Sequence, residues 1–387
     1  MRAKQCILLL VIALGAPMVC AVPAWAQGCI LFRQTSPMFG TGPVEQEVGN
    51  WTVTFTGRNS TADIHYRGTE RQRQRETEKT YVVNRQNSVT ATIGYQLTPR
   101  ISLNTGIPFV EASWGIPSPR TGGPAARANE NARGLGDITT LARIALVAPS
   151  AHRTWNVLVG GGVKLPTGNN AAADRFPDGN GLNNSERYVD ISVQPGDGGW
   201  GAIFDLQGYK MMGRFMAFGS GTWLASPRNT GTASRGNLLT STTPTNVNTV
   251  SDQFVFRAGT SVAVTSHVAL SMAWRVEGVP RYDLFGRSDG FRRPGVTMYW
   301  EPGVTLSAER HTVSFNVPVG YYFNRFPNPY TGNPGDSTFP EYVSIATYSV
   351  RLGRTHSARM PATDQPKPVH TAAPVPRQDE PQEPDNQ

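Results

Sequence analysis

Apolar and polar residues alternate with a period of two through most of this chain, and stripes with helical spacing are absent. The alternating stretches run to about ten residues each, the length of a membrane-crossing β-strand. Trp51, Val53 and Phe55 alternate with Thr52, Thr54 and Thr56, and Val89, Ala91, Ile93, Tyr95 and Leu97 with Thr90, Thr92 and Gln96. Ile101, Leu103, Ile107 and Phe109 follow the turn Thr98-Pro99-Arg100. Further strands are expected around Ile138–Leu146, Trp155–Leu165, Trp200–Leu206, Phe215–Trp223, Phe254–Val264, Val268–Val276, Val296–Trp300 and Val313–Phe323. A last one covers Tyr342–Leu352, where both faces carry apolar residues and the facing stays open. These make twelve segments.

The connections alternate in length. Short turns fall at 98–100, 148–153, 210–213, 265–267 and 307–311, and long loops near 59–85, 112–134, 166–198, 225–251, 279–294 and 325–341. In outer-membrane barrels short turns are periplasmic and long loops extracellular. The expectation is therefore an all-β protein: a transmembrane antiparallel up-and-down β-barrel of about 12 strands over residues 49–354, with both termini in the periplasm. Tyr188, Val189, Ile191 and Val193 would add an odd strand, so they are assigned to a β-excursion inside the third long loop. Trp51, Trp155, Trp200, Trp223, Trp274, Trp300, Tyr209, Tyr321 and Phe323 are expected to form interfacial aromatic girdles.

Composition sharpens the compartment. Arg2 and Lys4, the apolar run Cys6–Ala16 and Ala24-Trp25-Ala26 make a signal peptide over residues 1–26. An N-terminal periplasmic segment (27–48) would follow it. Only Cys29 of the 3 cysteines lies after that cleavage point, so no intramolecular disulfide is expected. No later apolar run is long enough for a helix to span a bilayer, and mean hydropathy is only −0.34. Residues 355–387 are rich in proline, acids and glutamine, which reads as a disordered periplasmic tail. The net charge of +8 is spread over strands and loops. Nucleic-acid binding would want one basic face.

The lumen carries the main candidate chemistry. Opposite the apolar stripe lie Asp137, Arg143, Lys164, Asp205, Arg214, Arg257, Arg275, Glu277 and Glu301, with Thr, Ser and Asn between them. Both signs are present, so these side chains either select solutes in a narrow channel or fill the lumen as ion pairs. Asp137 and Lys164 face each other across one hairpin, as an ion pair at the mouth or a pin for the long loop. In the first outer loop Arg71, Arg73 and Arg75 are candidates for lipopolysaccharide phosphates, or part of a self-neutralised loop. His152, His267 and His311 fall in turns, His356 and His370 at or in the tail, and His65 near an outer loop. No nucleophile–base arrangement is visible, so no enzyme, cofactor or catalytic residue is expected. The oxygen-rich stretch from Asp174 to Glu186 lacks calcium-loop spacing and reads as a turn-rich loop, so no metal site is expected.

Gly134-Leu135-Gly136-Asp137 opens one strand, Lys164-Leu165-Pro166-Thr167-Gly168 closes its partner, and Pro195-Gly196-Asp197-Gly198-Gly199-Trp200 precedes the next. This set resembles the outer-membrane barrel family labelled meta-pathway phenol-degradation or "transporter" proteins, over roughly residues 130–215. The resemblance implies an outer-membrane channel for passive uptake of small aromatic or other apolar molecules. The alternative is a non-conducting barrel with a structural or lipopolysaccharide-binding role. Expected partners are outer-membrane lipid and lipopolysaccharide, a small solute and the barrel-insertion machinery.

Overall fold

Twelve strands close edge to edge, and the alternation that identifies them also sets which side chains meet lipid-side surface and which meet the lumen. The computed structural model describes residues 48–117, 127–149, 151–177, 184–227, 248–286, 291–329, 332 and 335–353. The expected signal peptide, the segment 27–48 apart from Val48, and the tail 355–387 lie outside these residues, as do 178–183 of the oxygen-rich stretch.

The barrel strands are β1 (Trp51–Arg67), β2 (Val83–Gln96), β3 (Ile101–Pro117), β4 in two pieces (Arg127–Leu135 and Thr139–Ala145) and β5 (Trp155–Lys164). They continue as β6 (Gly201–Met212), β7 (Phe215–Ala225), β8 (Gln253–Ala263), β9 (Val268–Val279) and β10 (Gly295–Ala308). The last are β11, again in two pieces (His311–Asn316 and Val319–Arg325), and β12 (Ser337–Leu352). Each pairs antiparallel with the next, and β12 closes on β1 with Trp51 opposite Leu352. A closed barrel leaves no unpaired edge, the condition for a sheet to sit in hydrocarbon. The chain enters β1 and leaves β12 at the end where the short turns lie.

Outside the wall stand Trp51, Phe55, Val89, Ile93, Leu103, Phe109, Ile144, Trp155, Val159, Phe204, Leu206, Phe215, Leu270, Trp300 and Phe315, all exposed. Inside, the same strands bury Thr54, Thr56, Arg58, Thr90, Thr92, Arg143, Asp205, Gln207, Arg257, Arg275, Glu277 and Glu301. Polar groups inside and apolar ones outside is the reverse of a soluble protein and fits a wall solvated by lipid.

Two bulges change which residues face the lumen. Between the pieces of β4, Gly136, Asp137 and Ile138 lie opposite only Ile107 and Pro108 of β3. The extra residue switches the outward positions from odd (Leu135) to even (Ala142, Ile144), and so turns Asp137 inward. A second bulge at Tyr321 sets Phe323 opposite Thr297, which faces the lumen, whereas Tyr321 points out. The expected girdle is corrected at two places. Phe323 is buried against Tyr66 and Phe339 (ring centroids 4.9 and 5.4 Å), and Tyr209 shares the inward parity of Asp205 and Gln207.

Strands β1 to β4 rise past the apolar band. Outward positions there become Asn59, Thr61, Arg85, Asn87, Glu111, Asn131 and Arg133. The first long loop is accordingly shorter than the expected 59–85, spanning Gly68 to Val82 with a short helix at Arg73–Thr77. In the third loop Ala173–Pro177 pairs with Asn184–Tyr188 as a separate two-stranded sheet, outside the barrel count.

Candidate functional site

The lumen contains two ion-paired groups at mid-wall. On one side Arg58 of β1 reaches Glu277 of β9 (2.7 Å), Glu277 also takes Arg275 (2.8 Å), and Glu301 of β10 takes Arg257 of β8 (2.8 Å) and faces Arg275 (3.6 Å). The guanidinium of Arg257 also lies 4.9 Å from the Phe218 ring. On the other side Arg143 of β4 donates to Asp205 of β6 (2.7 Å), which also accepts from Thr222 (2.9 Å) and Gln207 (3.2 Å). Each ion is paired and buried, as a low-dielectric interior demands. Tyr299, Val343 and Ile345 pack together beside the first group, filling part of the bore. A lumen of about twelve strands is narrow enough for such side chains to constrict it.

Of the nine expected lumen residues, the structure brings Arg143 and Asp205 together, and Arg257, Arg275, Glu277 and Glu301 together. Arg214 is placed elsewhere. It sits exposed in the two-residue turn between β6 and β7 and donates to the carbonyls of Ala263 and Val264 (3.0 and 2.8 Å). Turn geometry, not strand parity, aims it. Arg58 belongs to the network and was absent from the expected set, although it continues the inward row Thr52, Thr54, Thr56.

Asp137 and Lys164 meet at the loop end, where the three glycine-rich motifs converge on one clasp. The Asp137 carboxylate accepts the backbone N–H groups of Gly168 (3.0 Å) and Asp197 (3.1 Å). Lys164 Nζ lies 3.6 Å from Asp137 and bonds both oxygens of Asp197. Thr167 donates to the Gly136 carbonyl (3.0 Å) and accepts from the Ile138 N–H (2.9 Å). Gly168 and Gly196 touch backbone to backbone: a Cβ on Gly168 would stand 2.7 Å from Gly196 Cα and 2.9 Å from Gly136 C. Only glycine fits where main chains approach this closely. Both ends of the third loop, at 168 and 196, are thus fastened to β4 and β5.

What the clasp holds is an inward-folded segment. Val189 and Val193 are buried against Val82, Val110, Ala112, Trp114 and Ala128, which line the inside of β2 to β4 above the ion pairs. Ser192 accepts from Asn84, and its carbonyl accepts from Gln86 Nε2 (2.7 Å). Glu130 accepts the Asp190 N–H (2.8 Å) and pairs with Arg187 (3.2 Å). Asp190 then pairs with Arg293, in the loop between β9 and β10. The segment is therefore tied both to the β2–β4 wall and to the β9–β10 loop. Glu130 stands above the apolar band; burial and the neighbouring Asp190 push its carboxyl up to about 7. Burial would raise Asp190 too, but Arg293 and the Ser192 hydrogen bonds bring it below the ordinary range.

His65, with no partner visible in the sequence, is buried at the loop end. Its Nε2 accepts the Val82 N–H (2.7 Å) and its Nδ1 lies 3.5 Å from Asp336. Burial holds its pKa down, against the pull of Asp336. The geometry is that of a structural tie. Of the first-loop arginines, Arg75 pairs with Asp336 and Arg71 with Glu76 (2.8 Å), which leaves Arg73 as the exposed member. Asp174 accepts from the Asn131 backbone (2.8 Å), and no metal-holding cluster of His, Cys, Asp and Glu occurs among the described residues.

No protein-family profile and no curated relative matches the sequence. Solved structures do. The outer membrane channel from Pseudomonas putida F1 covers 82% of this chain and 100% of its own, with a TM-score of 0.55 at 11% identity. A Pseudomonas aeruginosa FadL homologue covers 79% of this chain and 90% of its own (TM-score 0.41, 8% identity). The Ralstonia pickettii toluene transporter TbuX covers 80% and 90% (TM-score 0.39, 6% identity). At these identities the first establishes a shared outer-membrane barrel fold, and the other two add no weight to it.

Proposed function

We propose that this chain is an outer-membrane channel for passive uptake of small solutes, with apolar and aromatic molecules as the solute class. The observation that carries this reading is the inverted polarity of a closed barrel. Its apolar wall suits lipid, and its interior is lined by polar groups, among them paired side chains, below an inward-folded loop. A barrel built only as a scaffold has no need of a loop clasped across its mouth. The preference for apolar solutes draws on the motif resemblance to the meta-pathway phenol-degradation family and on the apolar inner surface at Leu141, Ile203 and Leu224. Asp137, Arg143, Lys164, Asp205, Arg257, Arg275, Glu277 and Glu301 act in this reading as constriction and loop-holding groups, joined by Arg58.

The remaining assignments belong to the same proposal. Residues 1–26 direct export, the short turns and both termini face the periplasm, and residues 355–387 form a periplasmic tail. Lipopolysaccharide contact rests with Arg73, since Arg71 and Arg75 have acidic partners of their own. Liposome swelling and planar-bilayer conductance with purified, heat-modifiable protein test the proposal. Solute-dependent swelling and resolved conductance steps are expected, and a folded barrel that passes neither ions nor small solutes would overturn it.

A further inference from the structure

The loop between β9 and β10 has its polarity the wrong way round for an aqueous loop. Tyr282, Leu284 and Phe285 are 57%, 56% and 52% exposed. Between them Asp283 turns inward to an ion pair with fully buried Arg292. Phe285 is followed by Gly286, whose φ of +87° folds the chain back against Pro227. The exposed apolar groups are not the result of a loose loop. Asp283 accepts the Asp252 N–H (2.9 Å), and Asp252 accepts the Leu284 N–H (2.8 Å), the Ser226 N–H (2.7 Å) and the Trp223 indole N–H (2.9 Å). A network of buried polar groups holds three large apolar side chains outward.

That arrangement repeats the polarity of the barrel wall, and the two surfaces are continuous. Trp223 stands on the outer face of β7, stacked on Phe254 of β8 (5.4 Å), which meets Phe256 (5.7 Å). The same Asp252 carboxylate oxygen binds the Trp223 indole and the Leu284 backbone, so the apolar loop begins where the apolar band ends. On the β1–β4 side the wall instead continues upward with Thr61, Arg85 and Asn87. Holding three such side chains in water would forfeit the burial free energy that large apolar groups gain elsewhere. Exposed apolar patches of this kind mark an interface.

We propose that the outward side chains of Tyr282, Leu284 and Phe285 are immersed in the outer leaflet of the membrane, extending the lipid-contact surface beyond the ends of β7 to β10, with the exposed Arg281 guanidinium, 5.6 Å from the Tyr282 ring, reaching the headgroups. This rests on the barrel being inserted in a bilayer with its long loops outward. Lipid is the occupant because the patch prolongs the lipid-facing aromatic band of Trp223, Phe254 and Phe256.

Nitroxide accessibility tests it in the full chain, carrying Cys29→Ser and reconstituted into phosphatidylcholine/phosphatidylglycerol vesicles. Labels at Leu284→Cys and Phe285→Cys are expected to collide several-fold more often with oxygen than with a water-soluble nickel chelate, as a label at Leu206→Cys does in mid-band. A label at Arg85→Cys should show the opposite preference. Nickel-dominated collisions at 284 and 285, alongside oxygen-dominated ones at 206, would overturn the loop proposal and leave the barrel intact. Nickel-dominated collisions at 206 as well would instead defeat membrane insertion itself. Spin–spin broadening at 284 that grows with protein-to-lipid ratio would make a second copy of the chain the occupant and likewise overturn the proposal.

Discussion

Replacing Lys164 with methionine should release the third loop while leaving the barrel standing. Lys164 is 1% exposed and its ammonium is the only cation in ion-pair contact with Asp137 and Asp197 among the described residues, so its loss leaves two facing carboxylates. Removing one partner of a buried ion pair costs about 3–5 kcal/mol. The lower figure applies here, because the Asp197 side chain is 23% exposed and water screens part of the repulsion. Roughly 3 kcal/mol raises the fraction of loop-open molecules by about a hundredfold, since 1.36 kcal/mol is one factor of ten. The cost falls on the clasp and not on the strand ladders, so heat-modifiable gel mobility should persist. Hydrogen exchange followed by mass spectrometry reads the effect: peptides spanning Val189–Trp200 should lose protection and strand peptides should keep theirs. Conductance in planar bilayers should rise and become noisier. Adding Asp197→Asn removes one of the opposed charges and should restore part of the protection. Wild-type exchange in Val189–Trp200, with unchanged conductance, would refute the idea that the clasp holds the mouth closed.

Other consequences are equally direct. Glu277→Gln takes one carboxylate from a network of Arg58, Arg257, Arg275, Glu277 and Glu301, so its formal charge of +1 (three minus two) becomes +2. The urea unfolding free energy should fall by about 3 kcal/mol or more, and the reversal potential in a salt gradient should move toward anions. Glu130 holds its proton more tightly with the loop closed (about 7) than free (4.5), so between those values the closed state binds more protons. Loop protection should therefore be fullest below pH 4.5 and decline as pH rises toward 7, and Glu130→Gln should flatten that profile in hydrogen exchange. Gly259→Val places its Cβ 2.7 Å from Ala273 Cα. Overpacking costs about 1–3 kcal/mol or more, so the variant should show less heat-modifiable protein after refolding than Gly219→Ala, whose Cβ meets only the Arg257 carbonyl, at 3.7 Å.

Strand number and facing were legible because lipid imposes a period-two signal wherever it touches the wall. The signal stops where lipid stops. Asn59, Thr61 and Asp63 alternate with Ser60, Ala62 and Ile64 inside, yet nothing apolar faces out, so the upper part of β1 reads as loop. Arg58 is hidden in the sequence for the same reason, lying three residues past Phe55, the last outward aromatic of β1. A bulge shifts parity by one residue and leaves little trace in composition. The turn of Phe323 toward the lumen therefore depends on strand register, which three-dimensional pairing fixes, whereas the inward facing of Asp137 was legible from its hairpin partner Lys164. Val189 and Val193 carry a strand-like pattern but face an apolar patch inside β2 to β4, which only the closed barrel creates. The three motifs marked a hairpin in the sequence, whereas their shared task of fastening both ends of one loop needed the backbone contact of Gly168 with Gly196.

The central claim is that this barrel passes small solutes, and liposome swelling measures it most directly. Proteoliposomes containing the heat-modifiable chain should swell faster than protein-free liposomes in small solutes, the rate falling steeply as solute size grows. Swelling indistinguishable from protein-free liposomes for every solute, both for the wild-type chain and for Lys164→Met, would contradict it.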